Sequence, residues 1–278
     1  PMGYFAGTTQ PVTFPDGIYR ATIFNNYVES EDPIYLSDRR GDVPGEAETM
    51  GIFYVGHNTA RSTNDGSDGA VTFRQASRSA AMLIERNFTG GAGQDTSESG
   101  VEVESDPGAV AQTRVLNNVA LLASGGGINI DPDGPGVQVI NNTAAYTAQG
   151  GQFGLESTQN TNLGDLQSYF LNCIASHNGG GDADEEGGVR PSYSLIQDQA
   201  TPNGIGNLFG DPLYLHDITS LTGFPYMNTT EMLPVMFTLL DTSPAIDAGH
   251  PDPFWNDADG TRNDMGAYGG KNAGPVGV

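Results

Sequence analysis

Val115-Leu116-Asn117-Asn118 and Val139-Ile140-Asn141-Asn142 repeat one short phrase, two apolar residues followed by two asparagines. Outward from this pair the phrase recurs as Ile23-Phe24-Asn25-Asn26 and Phe170-Leu171-Asn172-Cys173. Looser copies are Tyr54-Val55-Gly56-His57-Asn58 and Leu83-Ile84-Glu85-Arg86-Asn87. The last residues fall at 26, 58, 87, 118, 142 and 173, so the steps are 32, 29, 31, 24 and 31. Near-constant spacing of this kind marks a repeat architecture in which each unit buries its apolar face only against its neighbours. Each copy is followed by a glycine-rich bend and a second alternation: Val71-Thr72-Phe73, Val101-Glu102-Val103, Ile128-Asn129-Ile130 and Phe153-Gly154-Leu155. Period-two alternation turns one face inward and one outward. The expected fold is all-β: a right-handed, single-stranded parallel β-helix with coils of roughly 24 to 32 residues and a loop-rich C-terminal cap. The recurring asparagine is expected to form an amide ladder along the stack while tolerating the left-handed bend.

Composition agrees with short strands and tight turns. The 278 residues include 39 glycines and 17 prolines with 37% hydrophobic content, and segments such as Gly125-Gly126-Gly127 and Gly179-Gly180-Gly181 interrupt any long helix. A β-sandwich would also give many short strands but offers no reason for an Asn-containing unit. The expected organisation is a cloning remnant at residues 1–3, coils over 4–200, and the last coil with its cap over 201–278. No n-region and h-region pair opens the chain, so an excised domain is expected.

Thirty-four acidic residues against 11 basic ones give a net charge of -23. That balance argues against nucleic acid and against an anionic membrane surface as partners. No run of about 18 apolar residues is present, so no direct membrane insertion is expected. With one cysteine, Cys173, neither an intrachain disulfide nor a cysteine-based zinc site is expected.

From Tyr193 onward the chain resembles the carboxyl-terminal end of secreted bacterial β-helix proteins that carry a choice-of-anchor Q type of ending. The matching residues are Tyr193-Ser194-Leu195-Ile196, Gly206 to Leu213, Phe237-Thr238-Leu239, Ser243-Pro244-Ala245-Ile246-Asp247-Ala248-Gly249, and Asp257-Ala258-Asp259-Gly260-Thr261-Arg262 with Asp264-Met265-Gly266-Ala267-Tyr268. Gly269 stands where relatives usually place an acidic residue. The resemblance implies a parallel β-helix and an extracellular or cell-surface setting, with no fixed chemistry. Asp247, Asp257, Asp259 and Arg262 are expected to be structural, with carboxylates accepting backbone N–H groups and pairing with Arg262 to close the end of the solenoid.

A functional site on such a fold is expected as unlike polar groups at one place in neighbouring coils. Arg74, Glu104, Asp131 and Glu156 each follow an alternation directly and are expected to line up, about 5 Å apart between neighbouring coils and about 10 Å between next-but-one coils. These separations bracket those of retaining and inverting glycosidases. In an enzyme, Glu104, Asp131 and Glu156 would be the acid–base set and Arg74 a substrate clamp, flanked by Glu102 and Asn129. The same ladder could hold a cation, or be a solvated face. Asp182, Asp184, Glu185 and Glu186, among glycines, form a second candidate for Ca2+ without full EF-hand spacing. His57 is either a general base or a ladder member. Lys271, the only lysine, falls in the terminal tail, which argues against a lysine base, whereas Arg61, Arg74, Arg78, Arg86 and Arg114 are candidates for binding a uronate. The functional expectation is a carbohydrate-associated domain that binds polysaccharide or serves as an adhesion or structural module, with a polysaccharide hydrolase or lyase as the alternative.

Overall fold

The computed structural model describes residues 19–30, 33–38, 51–62, 69–75, 81–91, 99–105, 113–121, 123, 125–132, 136–147, 153–157, 168–184, 191–200, 202–215 and 237–274. Its strands form three parallel sheets in which each strand pairs with its counterpart one coil away. Sheet A holds β1 (Tyr19–Phe24), β4 (Gly51–Gly56), β7 (Ala81–Glu85), β10 (Thr113–Leu116), β13 (Gln138–Ile140) and β16 (Tyr169–Leu171). Sheet B holds β2 (Tyr27–Ser30), β5 (Thr59–Ser62), β8 (Phe88–Gly91), β11 (Val119–Leu121), β14 (Thr143–Ala145), β17 (Ile174–Ser176) and β18 (Leu195–Ile196). Sheet C holds β3 (Ile34–Asp38), β6 (Val71–Gln75), β9 (Val101–Ser105), β12 (Ile128–Pro132) and β15 (Leu155–Ser157). The chain is a parallel β-helix, as the repeat predicts. Val55, Ile84, Val115, Val139 and Phe170 from sheet A, Ala60, Ala120, Ala144 and Ala175 from sheet B, and Val71, Val101, Ile128 and Leu155 from sheet C fill one continuous core.

The Asn-Asn phrase divides two tasks between its residues. Asn25, Asn117, Asn141 and Asn172 carry φ values of 61°, 53°, 53° and 55°, the left-handed corner between sheets A and B. The second residue makes the ladder: Asn26, Asn58, Asn87 and Asn118 each donate Nδ2–H to the Oδ1 of the next rung at 3.0 Å, ending on Asn142. The left-handed corner therefore belongs to the residue before the ladder asparagine, and in two coils it is His57 or Arg86 instead. A non-glycine residue held there costs of the order of 1 kcal/mol, which the ladder bonds from Asn26 to Asn142 offset. At the next rung Cys173 replaces asparagine, and its N–H turns to Ser194 Oγ at 3.0 Å.

The C-terminal part does two things. Residues 191–200 and 202–215 extend the stack, with Leu195 bridged to Leu208 and Tyr193 N–H bonded to Ile205 carbonyl oxygen. Residues 237–274 then turn back and run along the side. His250 and Gly266 bond Asn172, Asp264 and Gly266 bond Asn141, Ala267 and Gly269 bond Asn117, and Asn272 bonds Arg86. The order 172, 141, 117, 86 shows a strap that descends four coils. It buries Phe237, Ala245, Met265 and Ala267 on the outer face of sheet B, against Phe88, Val119, Leu121, Ala145, Ile174 and Leu195. Of the signature residues, Tyr193 to Ile196 and Gly206 to Leu213 continue the stack and Thr238 and Leu239 pair with Leu215 and Tyr214 beside it, while Ser243 to Tyr268 lie along the flank of the solenoid. As expected, carboxylates in the strap accept backbone N–H groups: Asp257 from Asp264 and Gly270, Asp264 from Asp247, and Asp259 from Thr261. Arg262 instead donates to the carbonyl oxygens of Ala248 and Gly249, because the strap's own turn leaves these acceptors beside it.

Candidate functional site

Sheet C presents two outward columns of polar side chains. In β9 the residues alternate buried and half-buried, so Glu102 and Glu104 face out while Val101, Val103 and Ser105 face in. Register places Arg74 opposite Glu104 and Glu104 opposite Asp131. Arg74 Nε lies 2.6 Å from Glu104 Oε2, and its guanidinium carbon sits 5.6 Å from the centre of the Tyr35 ring. Arg74, Glu104 and Asp131 therefore make a line of a cation and two carboxylates over three coils, with Asp131 exposed at its end, and Tyr35, which registers with Thr72, brings its ring beside Arg74 from the adjoining column.

Glu156 lies outside this line. It pairs with Asn129, two residues away from Asp131 along β12, and so belongs to the neighbouring column Thr72, Glu102, Asn129, Glu156. The cause is a glycine stack at the preceding corner. Gly127 N–H bonds Phe153 carbonyl oxygen, and a Cβ at Gly127 would lie 2.5 Å from Gly154 carbonyl oxygen and 2.7 Å from Ala144 Cβ. Gly154 is thereby held over Gly127 and Phe153 over Gly126, so Leu155, rather than Phe153, takes the first inward position.

Beyond Glu156 the column reaches Asp184, whose N–H bonds Leu155 carbonyl oxygen. Burial first, and the Asp184 charge second, raise the Glu156 carboxyl above its ordinary value, while a hydrogen bond from the Phe153 backbone acts the other way. Among the described residues Glu156 Oε2 is buried with no hydrogen-bond donor. A carboxyl placed this way is more readily protonated than a glutamate in water, whereas Asp131 in the adjoining column is exposed. The two columns thus combine a carboxyl of raised pKa, an exposed carboxylate and a guanidinium on one face.

The proposed Ca2+ loop is split. Asp182 is buried and accepts from Asn178 Nδ2 at 2.8 Å and from Asp198 N–H at 2.8 Å, whereas Asp184 belongs to the Glu156 column. Glu185 and Glu186 lie outside the described residues, and no group of three or more His, Cys, Asp or Glu side chains able to hold a metal occurs among those described. His57 is the left-handed corner residue beside the ladder rather than a rung. Its ring packs edge-on against Phe24 at 4.9 Å, and burial followed by the nearby Arg86 charge lowers its pKa.

The sequence did not single out a cleft of about 260 Å³ between the outer face of sheet A and the strap, lined by Arg114, Gln138, Phe254, Trp255, Lys271 and the two asparagines of the corner, among others. A signal existed: the chain's one tryptophan and one lysine both fall within its last 24 residues. Among the described residues no helix is long and apolar enough to cross a membrane. No protein-family model, curated protein or solved structure matches the chain.

Proposed function

We propose that this β-helix is a secreted or cell-surface module that binds polysaccharide along sheet C. The observation that supports this reading is the line Arg74, Glu104 and Asp131, unlike groups repeated at a spacing of about 4.8 Å from coil to coil, with the Tyr35 ring beside Arg74 from the adjoining column. Carboxylates and a guanidinium offer paired, directional hydrogen bonds to neighbouring hydroxyls, and an aromatic ring offers an apolar face to the C–H side of a sugar. Parallel strands in constant register let an extended polymer follow the coils along this line. The extracellular setting rests on the resemblance of Ser243 to Tyr268 to the ending of secreted proteins. On a glycan array the protein should retain a defined subset of neutral or acidic polysaccharides, and Glu104→Gln should weaken that retention without shifting the melting temperature. Equal retention by wild type and Glu104→Gln, or none on any glycan, overturns the sheet C reading.

A hydrolase reading is favoured by one further observation. Asp131 and the raised Glu156 stand one strand apart and two residues along, about 8 Å between backbone positions. That separation suits an inverting acid and base pair with a water between them. In that case Glu156 would protonate the leaving oxygen and Asp131 would activate the water. New reducing ends that vanish in both Glu156→Gln and Asp131→Asn would establish it, and binding without turnover would exclude it.

A further inference from the structure

The cleft beneath the strap has a chemistry unlike the rest of this acidic surface. One wall is the outer face of sheet A, where Arg114 and Gln138 occupy one column and Leu116 and Ile140 the next. The other wall is the strap, which contributes Phe254, Trp255, Gly270, Lys271 and Asn272. The strap wall is held rigidly. Asp252 caps the short 3-10 turn Pro253–Trp255 by accepting Phe254 N–H at 2.9 Å, and Asn263 Nδ2 donates to Trp255 carbonyl oxygen at 2.7 Å. The rings of Phe254 and Trp255 meet at right angles with centroids 4.9 Å apart, and Lys271 Nζ stands 4.9 Å from the centre of the Phe254 ring.

Two cations therefore face one small cleft in a chain with 34 acidic and 11 basic residues. Among the described residues neither Arg114 nor Lys271 has a carboxylate within ion-pairing distance. The partner that Lys271 does have is an aromatic face, which holds the ammonium in place without neutralising it. The corner asparagines cannot serve as donors to a ligand, since Asn117 Nδ2 and Asn141 Nδ2 are spent on strap carbonyl oxygens. What is left is a pair of cations, the Gln138 amide, an indole and apolar side chains, in a volume just below the range of roughly 300 to 1,000 Å³ of drug-sized sites.

We propose that this cleft binds a single acidic sugar residue, a uronate, with Arg114 and Lys271 taking its carboxylate and Trp255 lying against its ring. A bare anion would not use the aromatic wall, and a neutral sugar would leave two cations unmatched. The proposal concerns a site on sheet A and the strap, separate from the line on sheet C, and does not depend on that reading.

Because Trp255 is the only tryptophan, its fluorescence reports this cleft alone. The folded wild-type protein is titrated with glucuronate and galacturonate, with glucose and galactose, and with acetate. A saturable change with at least one uronate, about tenfold weaker or absent for the neutral sugars and acetate, is expected. Arg114→Gln and Lys271→Gln should each weaken the uronate response about tenfold while leaving the melting temperature and the array binding of sheet C unchanged. Equal responses to uronate and acetate overturn the sugar assignment. Equal responses to uronate and neutral sugar, or no saturable response to any of them, overturn the site.

Discussion

Asn118 and Asn142 are joined twice: the Asn118 main-chain N–H reaches Asn142 Oδ1 at 2.8 Å, and its side-chain Nδ2 reaches the same oxygen at 3.0 Å. One oxygen thus satisfies a backbone donor and a side-chain donor of the coil below. Each rung depends on the next.

Replacing an interior rung should therefore cost more than replacing an end one. Asn118→Ala removes bonds to Asn142, Ile84 and Leu116 and leaves the buried Asn87 N–H and Nδ2 without their acceptor. The expected loss in denaturant unfolding is about 2 to 4 kcal/mol. For Asn26→Ala, at a partly buried first rung with nothing hung from it in the described residues, less than about 1.5 kcal/mol is expected. Equal losses would mean that the ladder is decoration on a stack held by its apolar core.

Stability should depend on pH through Asp182. Burial, and then the like charge of Asp198, push its carboxyl from an ordinary value of 3.8 up to about 7. A raised folded value means that folding favours the neutral acid, so this contribution is fully present below pH 3.8 and is lost as pH rises through about 7. The melting temperature should fall between pH 5 and pH 8. Asp198→Asn keeps an acceptor for the Asp182 N–H but removes the charge, and should make that fall shallower. A variant whose curve runs parallel to wild type over the whole range refutes the assignment.

Gly266 pins the strap. Its φ is +93°, and a Cβ there would lie 2.7 Å from Ile174 Cδ1 and 2.9 Å from Thr143 Oγ1. Gly266→Ala should cost at least about 1 kcal/mol and should raise amide exchange of Met265 and Gly269 while the inner strands keep their protection. Uniformly faster exchange across all three sheets would show that the strap is integral to the core rather than laid upon it.

The Arg74 and Glu104 pair is about one-third exposed on each side. A double-mutant cycle with Arg74→Gln and Glu104→Gln should give a coupling below about 1 kcal/mol for folding. A larger value would make the pair a structural brace and weaken the case for it as a binding line.

The solenoid was legible because the apolar pair and the ladder asparagine recur at the coil length, and the inward residues Val101, Ile128 and Val139 stand where alternation puts them. Three features were not. Two adjacent asparagines look equivalent in a sequence, yet Asn117 bends the chain and grips the strap while Asn118 makes the ladder. Phe153-Gly154-Leu155 imitates Ile128-Asn129-Ile130, but backbone crowding at stacked glycines fixes register, and this moved Glu156 to the Asn129 column. The Trp255 cleft is formed by residues more than a hundred positions apart, Arg114 and Lys271, and no local periodicity reports such a meeting.

A simple stack of coils frays independently from each end, because each unit answers only to its neighbours. The strap alters that arithmetic by touching the coils of Asn172, Asn141, Asn117 and Arg86 in turn. Those four layers share one fastening, so they should come apart as a single block, whereas the coils of Asn26 and Asn58, which the strap does not bond among the described residues, should peel singly. The rod is thus zipped at one end and stapled at the other.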